Sequence, residues 1–196
     1  MVPPMTKFRL RINGITFLWL ALLLLVLPLR WVAAAGFAAV FHECCHMLAI
    51  RACGGSVHSL EVGNSGALME AADLTARQEI LCAMAGPLGG LLLLLFLRWV
   101  PEVAVCAAFQ SAFNLLPVYP LDGGRCLRCV VSMFIPLTAD AVCLWTARCC
   151  CFLLIAVGGW AAVTGLGFAP LIMAGFVAMK TIRGKIPCKH CLSAVQ

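Results

Sequence analysis

The sequence predicts an all-α polytopic membrane protein of about six transmembrane helices, with a small β-hairpin between the second and third. Of its 196 residues, 63% are hydrophobic and 11% are charged, and the mean hydropathy is +1.03. Soluble domains contain about 25% charged residues, so this composition is typical of a membrane protein. Six spans of about 20 residues leave little chain for a separate soluble domain. We therefore predict one integral-membrane domain over residues 1–196.

Apolar stretches bounded by polar or helix-breaking residues define the spans. A basic start precedes the first stretch, which would also suit a signal peptide. No small-residue cleavage site clearly follows it and the next segment is again apolar, so we predict a retained span. The predicted spans that run without a break are 14–27, 31–52, 78–100, 139–163 and 166–182.

The fourth span begins near Val103 and is predicted to break between Asn114 and Arg125, where two prolines and two glycines prevent a regular helix. Irregular backbone at membrane depth is tolerated where it is buried in protein or lines a cavity. The polar segment 53–76 contains two short alternating stretches, 56–62 and 67–70, around a Gly63–Gly66 turn. This pattern predicts a hairpin, either with an edge that pairs with a peptide or as a plain connection.

The distribution of charge predicts the orientation. The net charge is +6, and six spans place both termini on one side of the membrane. Because basic residues favour the cytoplasmic side, both termini are expected in the cytoplasm of a multi-pass cell-membrane protein. No basic patch studded with aromatic residues suggests nucleic acid. The basic residues on the predicted cytoplasmic side are Lys7, Arg9, Arg11, Arg51, Arg77, Arg125, Arg128, Lys180, Arg183, Lys185 and Lys189.

Most of the thirteen cysteines lie in apolar runs, where a thiol behaves as a small hydrophobic group. The terminal Cys188-Lys189-His190-Cys191 could bind a metal or be redox-active, but a single C-x-x-C is weak evidence and a solvated tail is the simpler interpretation. Arg148 lies within the fifth span, where a charge needs a partner, a water path or room to reach the surface.

The stretch with the clearest chemistry is His42-Glu43-Cys44-Cys45-His46, an H-E-x-x-H pattern inside the second span. On a helix, residues four apart project from one face, so both imidazoles can bind one Zn²⁺. Glu43 is then placed where a carboxylate can take a proton from a metal-activated water. The alternative is a pair of helix-face histidines that only hydrogen-bond to neighbours.

A catalytic zinc usually has three protein ligands and one open position. Asp122 is the best third candidate, because it follows the helix break and the predicted topology places it at a depth similar to that of the histidines. A buried carboxylate would also be costly without a cationic partner. The other candidates are His58, His190, Glu61, Glu70 and Glu79.

In three elements the sequence resembles the site-2 protease family of intramembrane zinc metalloproteases, especially its short bacterial branch, which includes a sporulation protease that releases a sigma factor precursor. The matching residues, within a core of about 31–135, are His42-Glu43-x-x-His46, Ala85-Gly86-Pro87 and Asn114-x-x-Pro117-x-x-Pro120-Leu121-Asp122-Gly123. Some relatives carry an inserted PDZ domain or a C-terminal CBS domain, and neither domain is expected in this sequence.

The resemblance implies a zinc ion held by His42, His46 and Asp122, with Glu43 as the general base. It further implies a membrane-tethered protein substrate, within the lipid bilayer, and a possible membrane regulatory protein. The residues expected to help bind substrate are Asn114, Pro120 and Gly66, the last in the hairpin.

Two rival interpretations use the same motif. One is an H-E-x-x-H membrane peptidase whose third ligand is a glutamate on a later helix, which is disfavoured because no Glu follows Glu102. The other is a non-proteolytic zinc-binding membrane protein or transporter. A pure binding site would not need Glu43 beside the metal, so hydrolysis is the favoured function.

Overall fold

The computed structural model describes residues 9–12, 21, 24–63, 66–72, 74–165, 171, 174, 175, 177 and 178. The chain divides into two compact units, Met1–Phe113 and Asn114–Gln196. Over the described residues, three helical stretches are long and apolar enough to cross a membrane: Leu29–Ala52, Ala76–Phe96 and Pro136–Val163. The predicted first and sixth spans fall largely outside the described residues, so six spans, and one domain made of both units, stay predictions.

The first unit is built around helix α1, Leu29–Ala52, which corresponds to the predicted second span. One face of α1 is exposed and apolar, as at Phe37, Val40 and Leu48. A helix that is apolar all round suits a membrane, where lipid covers the outer face. The opposite face is buried at every fourth residue, at Ala34, Ala38, His42, His46 and Ile50.

A three-stranded sheet, with strand order β1-β2-β3, combines one strand that precedes α1 with two strands between α1 and the next helix. Strands β2, Ser56–Gly63, and β3, Gly66–Ala72, pair antiparallel over the residues for which the sequence predicts a hairpin. Strand β1, Arg9–Ile12, pairs parallel with β2 and was not predicted. Residues 9–12 therefore lie beside the segment that follows α1.

Helix α2, Ala76–Leu92, begins at a capping box, in which Thr75 and Gln78 exchange side-chain and backbone hydrogen bonds. The Gln78 amide also donates to the carbonyl of Cys53 at 3.0 Å. This bond ties the start of α2 to the residue that ends α1, and it closes the base of the hairpin segment. A 3₁₀ turn, Leu93–Phe96, extends α2.

Helix α3, Pro101–Asn114, packs against α2, and its Ser111 side chain occupies the space where a side chain at position 90 would lie. The N-terminal ends of α3 and α1 are linked by an exposed ion pair between Arg30 and Glu102 at 3.9 Å. At 14 residues α3 is about 21 Å long, short of the roughly 30 Å hydrocarbon core.

In the second unit, the predicted break of the fourth span is present, because residues 115–121 are not helical. Helix α4, Asp122–Phe134, follows the break, and a 3₁₀ turn leads into α5, Ala139–Val163, which has the bounds predicted for the fifth span. Arg128 of α4 donates to the Asp140 carboxylate at 3.1 Å and ties the first turn of α5 to α4.

The two glycines after Asp122 allow the broken segment to pack onto the first turn of α4. A Cβ at Gly123 would lie 2.7 Å from the carbonyl oxygen of Leu116 and closer still to that of Leu115. A Cβ at Gly124 would similarly meet the backbone of Val118 and Tyr119. Because these obstacles are backbone atoms, a rotamer change cannot relieve the overlap. This local packing therefore requires glycine at both positions.

We expect Gly123→Ala to destabilise the protein by about 1–3 kcal/mol, the usual cost of overpacking. Gly159→Ala in α5 is the matched control, since no described atom lies within 4 Å of a Cβ there. A Gly→Ala change at such a helical site is neutral or stabilises by up to about 1 kcal/mol. Thermal unfolding in detergent measures both variants, and equal stability of the two would contradict the packing described for Gly123.

Candidate metal centre

His42 and His46 lie one turn apart on the buried face of α1, with only 2% and 7% of their surfaces exposed. Their Nε2 atoms approach to 3.1 Å. The i, i+4 spacing of the motif therefore produces the convergence of imidazoles that the sequence predicts.

The orientation of His46 is set by a backbone group of α2. Its Nδ1 lies 2.7 Å from the carbonyl oxygen of Cys82. A carbonyl oxygen can only accept, so Nδ1 carries a proton and donates it to this oxygen. Metal-binding histidines almost always have such a partner on the second nitrogen, because it selects the tautomer and holds the ring.

The separation of the two Nε2 atoms fits one zinc ion. Zinc–nitrogen bonds of about 2.0–2.1 Å in tetrahedral geometry place two ligand nitrogens about 3.3–3.4 Å apart. The observed 3.1 Å is close to that value. Two lone pairs cannot face each other at this distance, so the arrangement requires a proton or a cation between the two nitrogens.

Gly86 provides the space in which the two nitrogens converge. A Cβ at this position would lie 2.7 Å from His42 Nε2 and closer to His46 Nε2. Any other residue would therefore fill the site itself. The glycine of the Ala85-Gly86-Pro87 element is explained by this contact between α2 and the metal-binding face of α1.

Glu43 follows the first histidine on α1 and is partly buried. Its predicted role as a base next to metal ligands stays a prediction. Asp122 is 8% exposed and is the first residue of α4. The partial positive charge of a helix N-terminus stabilises a carboxylate there.

The remaining predicted site residues have well-defined backbone positions. Asn114 is the last residue of α3, and Pro120 follows Tyr119 through a cis peptide bond. Gly66 begins β3, opposite Gly63 of β2. The structure brings His42 and His46 together within the first unit, whereas Asn114 and Asp122 belong to the second unit.

The other candidate ligands are dispersed. His58 and Glu61 lie in β2, Glu70 lies in β3, and Glu79 lies in the first turn of α2. His190 lies outside the described residues. The partner that the sequence did not reveal is the Cys82 carbonyl, since a backbone oxygen carries no residue-specific signal.

A comparison with solved structures finds the site-2 protease from Methanocaldococcus jannaschii at a TM-score of 0.68. The chain has the fold of a site-2 protease. The match covers 93% of this chain and 92% of that chain at 16% sequence identity. No known protein family and no curated protein matches the sequence. The resemblance first noted in three short motifs therefore extends to the fold of almost the whole chain.

We expect Gly86→Ala to lower the bound zinc from about one ion per chain to a small fraction, because the added methyl group occupies the space between the two Nε2 atoms. Gly36→Ala, at an exposed position of α1 with no described atom near a Cβ, is the control and should keep its zinc. Elemental analysis of protein purified in detergent provides the measurement. A full zinc complement in Gly86→Ala would contradict the proposed convergence on one ion.

Proposed function

We propose that this protein is an intramembrane zinc metalloprotease that hydrolyses a peptide bond in or near the transmembrane segment of a membrane-tethered substrate. The observation that carries the proposal is the pair of buried Nε2 atoms 3.1 Å apart, with a glutamate directly after the first histidine. The site-2 protease fold and the three helices that could cross a membrane support it.

In this proposal His42, His46 and Asp122 are the three zinc ligands. When bound, zinc supplies a Lewis acid that polarises a substrate carbonyl and lowers the pKa of a water ligand to about 7. The burial of Asp122 and its place after the break support a ligand role, because a buried carboxylate is stabilised by a cation.

Glu43 acts as the general base. It accepts a proton from the attacking water and then gives a proton to the amine that leaves when the peptide bond breaks. Asn114 orients the substrate or donates to the oxygen on which negative charge develops. Pro120 and Gly66 contribute to substrate binding through the backbone shape of the broken segment and of the hairpin.

The sheet offers a way to hold an unwound substrate. A transmembrane helix hides its peptide carbonyls in its own hydrogen bonds, so the scissile region must become extended before attack. Over the described strands, β2 is covered on both sides, by β1 and β3, whereas β3 is an edge. An extended peptide can add to such an edge through backbone hydrogen bonds.

We propose a multi-pass cell-membrane location with both termini in the cytoplasm. For the N-terminal segment, the pairing of β1 with β2 supports this proposal, since residues 9–12 lie beside the hairpin. A site near the cytoplasmic side gives water access to the base. Regulated proteolysis is the proposed role, for example the release of a transcription or sigma factor, as in sporulation, under a membrane regulatory protein.

Replacement of Asp122 by Ala tests the third ligand. We expect zinc to fall from about one ion per chain to a small fraction, because two histidines alone hold the ion weakly. Asp140→Ala is the matched control, since Asp140 is the other acidic residue of the second unit and pairs with Arg128. Elemental analysis decides the outcome, and full zinc occupancy in Asp122→Ala would show that the residue is structural.

Replacement of Glu43 by Gln separates proteolysis from simple zinc binding. We expect cleavage to fall by at least about a hundredfold while zinc is retained, because the amide cannot accept the proton. Cells expressing each form can be compared by mass spectrometry for new protein termini within transmembrane segments, with Glu102→Gln as the control. If Glu43→Gln and the wild type cleave equally, Glu43 is not the general base. If the wild type binds zinc but cleaves no substrate, a non-proteolytic zinc-binding protein or transporter is favoured.

A further inference from the structure

Arg148 is a charged residue on the outer face of an apolar helix. It lies eight residues after Asp140, about 12 Å along α5. In the sequence it is the only charged residue between Asp140 and Lys180. Its side chain is exposed, as are its neighbours Trp145 and Phe152, at 65% and 77%. Charges within membrane helices usually face the protein interior, so an outward arginine needs an explanation.

The second unit offers Arg148 little negative charge. Its sequence contains only two acidic residues, Asp122 and Asp140. Asp140 accepts the hydrogen bond of Arg128, and Asp122 begins α4. Among the described residues, Arg148 has an aromatic contact and no ion pair. The compensating anion is therefore expected from outside the unit.

The position of the guanidinium indicates where that anion lies. Its Cζ atom is 5.6 Å from the ring centroid of Trp145, one helical turn nearer the start of α5. Side chains on a helix tilt towards its N-terminus, and a long arginine can extend to the membrane interface in that direction. The start of α5 carries the Arg128–Asp140 ion pair, in which the Asp140 side chain is 49% exposed.

We propose that Trp145 and Arg148 bind the phosphate group of an anionic phospholipid in the leaflet that surrounds the start of α5. The planar guanidinium donates two parallel hydrogen bonds to phosphate oxygens, and the indole packs at the level of the headgroup. A lipid without a cationic headgroup is preferred, because its phosphate is not already neutralised. The inference requires that α5 crosses the membrane and is independent of proteolysis.

Fluorescence quenching by brominated lipids tests the site in liposomes that contain the full chain. A variant that keeps Trp145 reports on its surroundings once Trp19, Trp31, Trp99 and Trp160 are changed to Phe. At equal mole fraction, brominated phosphatidylglycerol should be enriched about fivefold over brominated phosphatidylcholine, the preference expected of one arginine near an anionic surface. Arg148→Gln should abolish this enrichment.

A variant that keeps Trp160 is the matched control, because Trp160 is 63% exposed on the same helix but distant from Arg148. It should show no headgroup preference, which excludes a general effect of the +6 net charge. Equal quenching of Trp145 by both lipids, or an enrichment that survives Arg148→Gln, would overturn the proposal. Weak quenching by both would overturn it in favour of a protein partner that covers this face.

Native mass spectrometry of the unmodified chain provides a second measurement that does not depend on the tryptophan replacements. The wild type should retain more phosphatidylglycerol than Arg148→Gln, whereas Arg30→Gln, which removes a charge from the start of α1, should match the wild type. Equal retention by all three proteins would count against the site.

Discussion

The candidate metal-binding face of α1 depends on one close contact between two helices. Gly86 of α2 lies against the imidazoles of His42 and His46, and the Cys82 carbonyl one turn earlier on α2 fixes the ring of His46. A single helix surface thus supplies both the space for an ion and the hydrogen bond that orients a ligand. The capping box and the Gln78–Cys53 bond hold the start of this helix. Together with the His46–Cys82 bond, they define the register of α2 against α1.

A membrane environment explains why small residues carry so much of this packing. Lipid tails are as apolar as leucine, so burial of large apolar side chains does little to hold two membrane helices together. Close approach of backbones through Gly and Ala supplies van der Waals contact instead. The buried face of α1 follows this rule at Ala34 and Ala38, and α2 follows it at Gly86, Gly89 and Gly90. Most of the large apolar residues of both helices face outward, with Ile50 as a buried exception.

The broken segment obeys the same constraint by a different route. Backbone without helical hydrogen bonds is costly in a membrane unless protein covers it. Residues 115–119 achieve this by packing onto the first turn of α4, which is possible because Gly123 and Gly124 have no side chains. The adjacent Asp122 is thereby fixed at the start of a helix. Local packing, rather than a special property of the aspartate, makes the position rigid.

Composition and periodicity were sufficient to predict the helices α1, α2 and α5, the break before Asp122 and the paired histidines, because each depends on neighbours close in sequence. Strand β1 was not predicted, although Arg9 and Arg11 alternate with Leu10 and Ile12. Four alternating residues are too few to predict a strand, and this one forms by pairing with the distant strand β2. The predicted third span, 78–100, ends four residues beyond the helical stretch Ala76–Phe96.

By itself, the sequence determined the membrane character of the chain and the chemistry of the H-E-x-x-H turn, since both follow from residue types and short spacings. Only the tertiary structure decided which nitrogen of His46 donates to a backbone carbonyl and why position 86 must be glycine. Both facts depend on the approach of α2 to α1, between residues about forty positions apart in the sequence. A contact at that separation is set by helix packing, which no local pattern records.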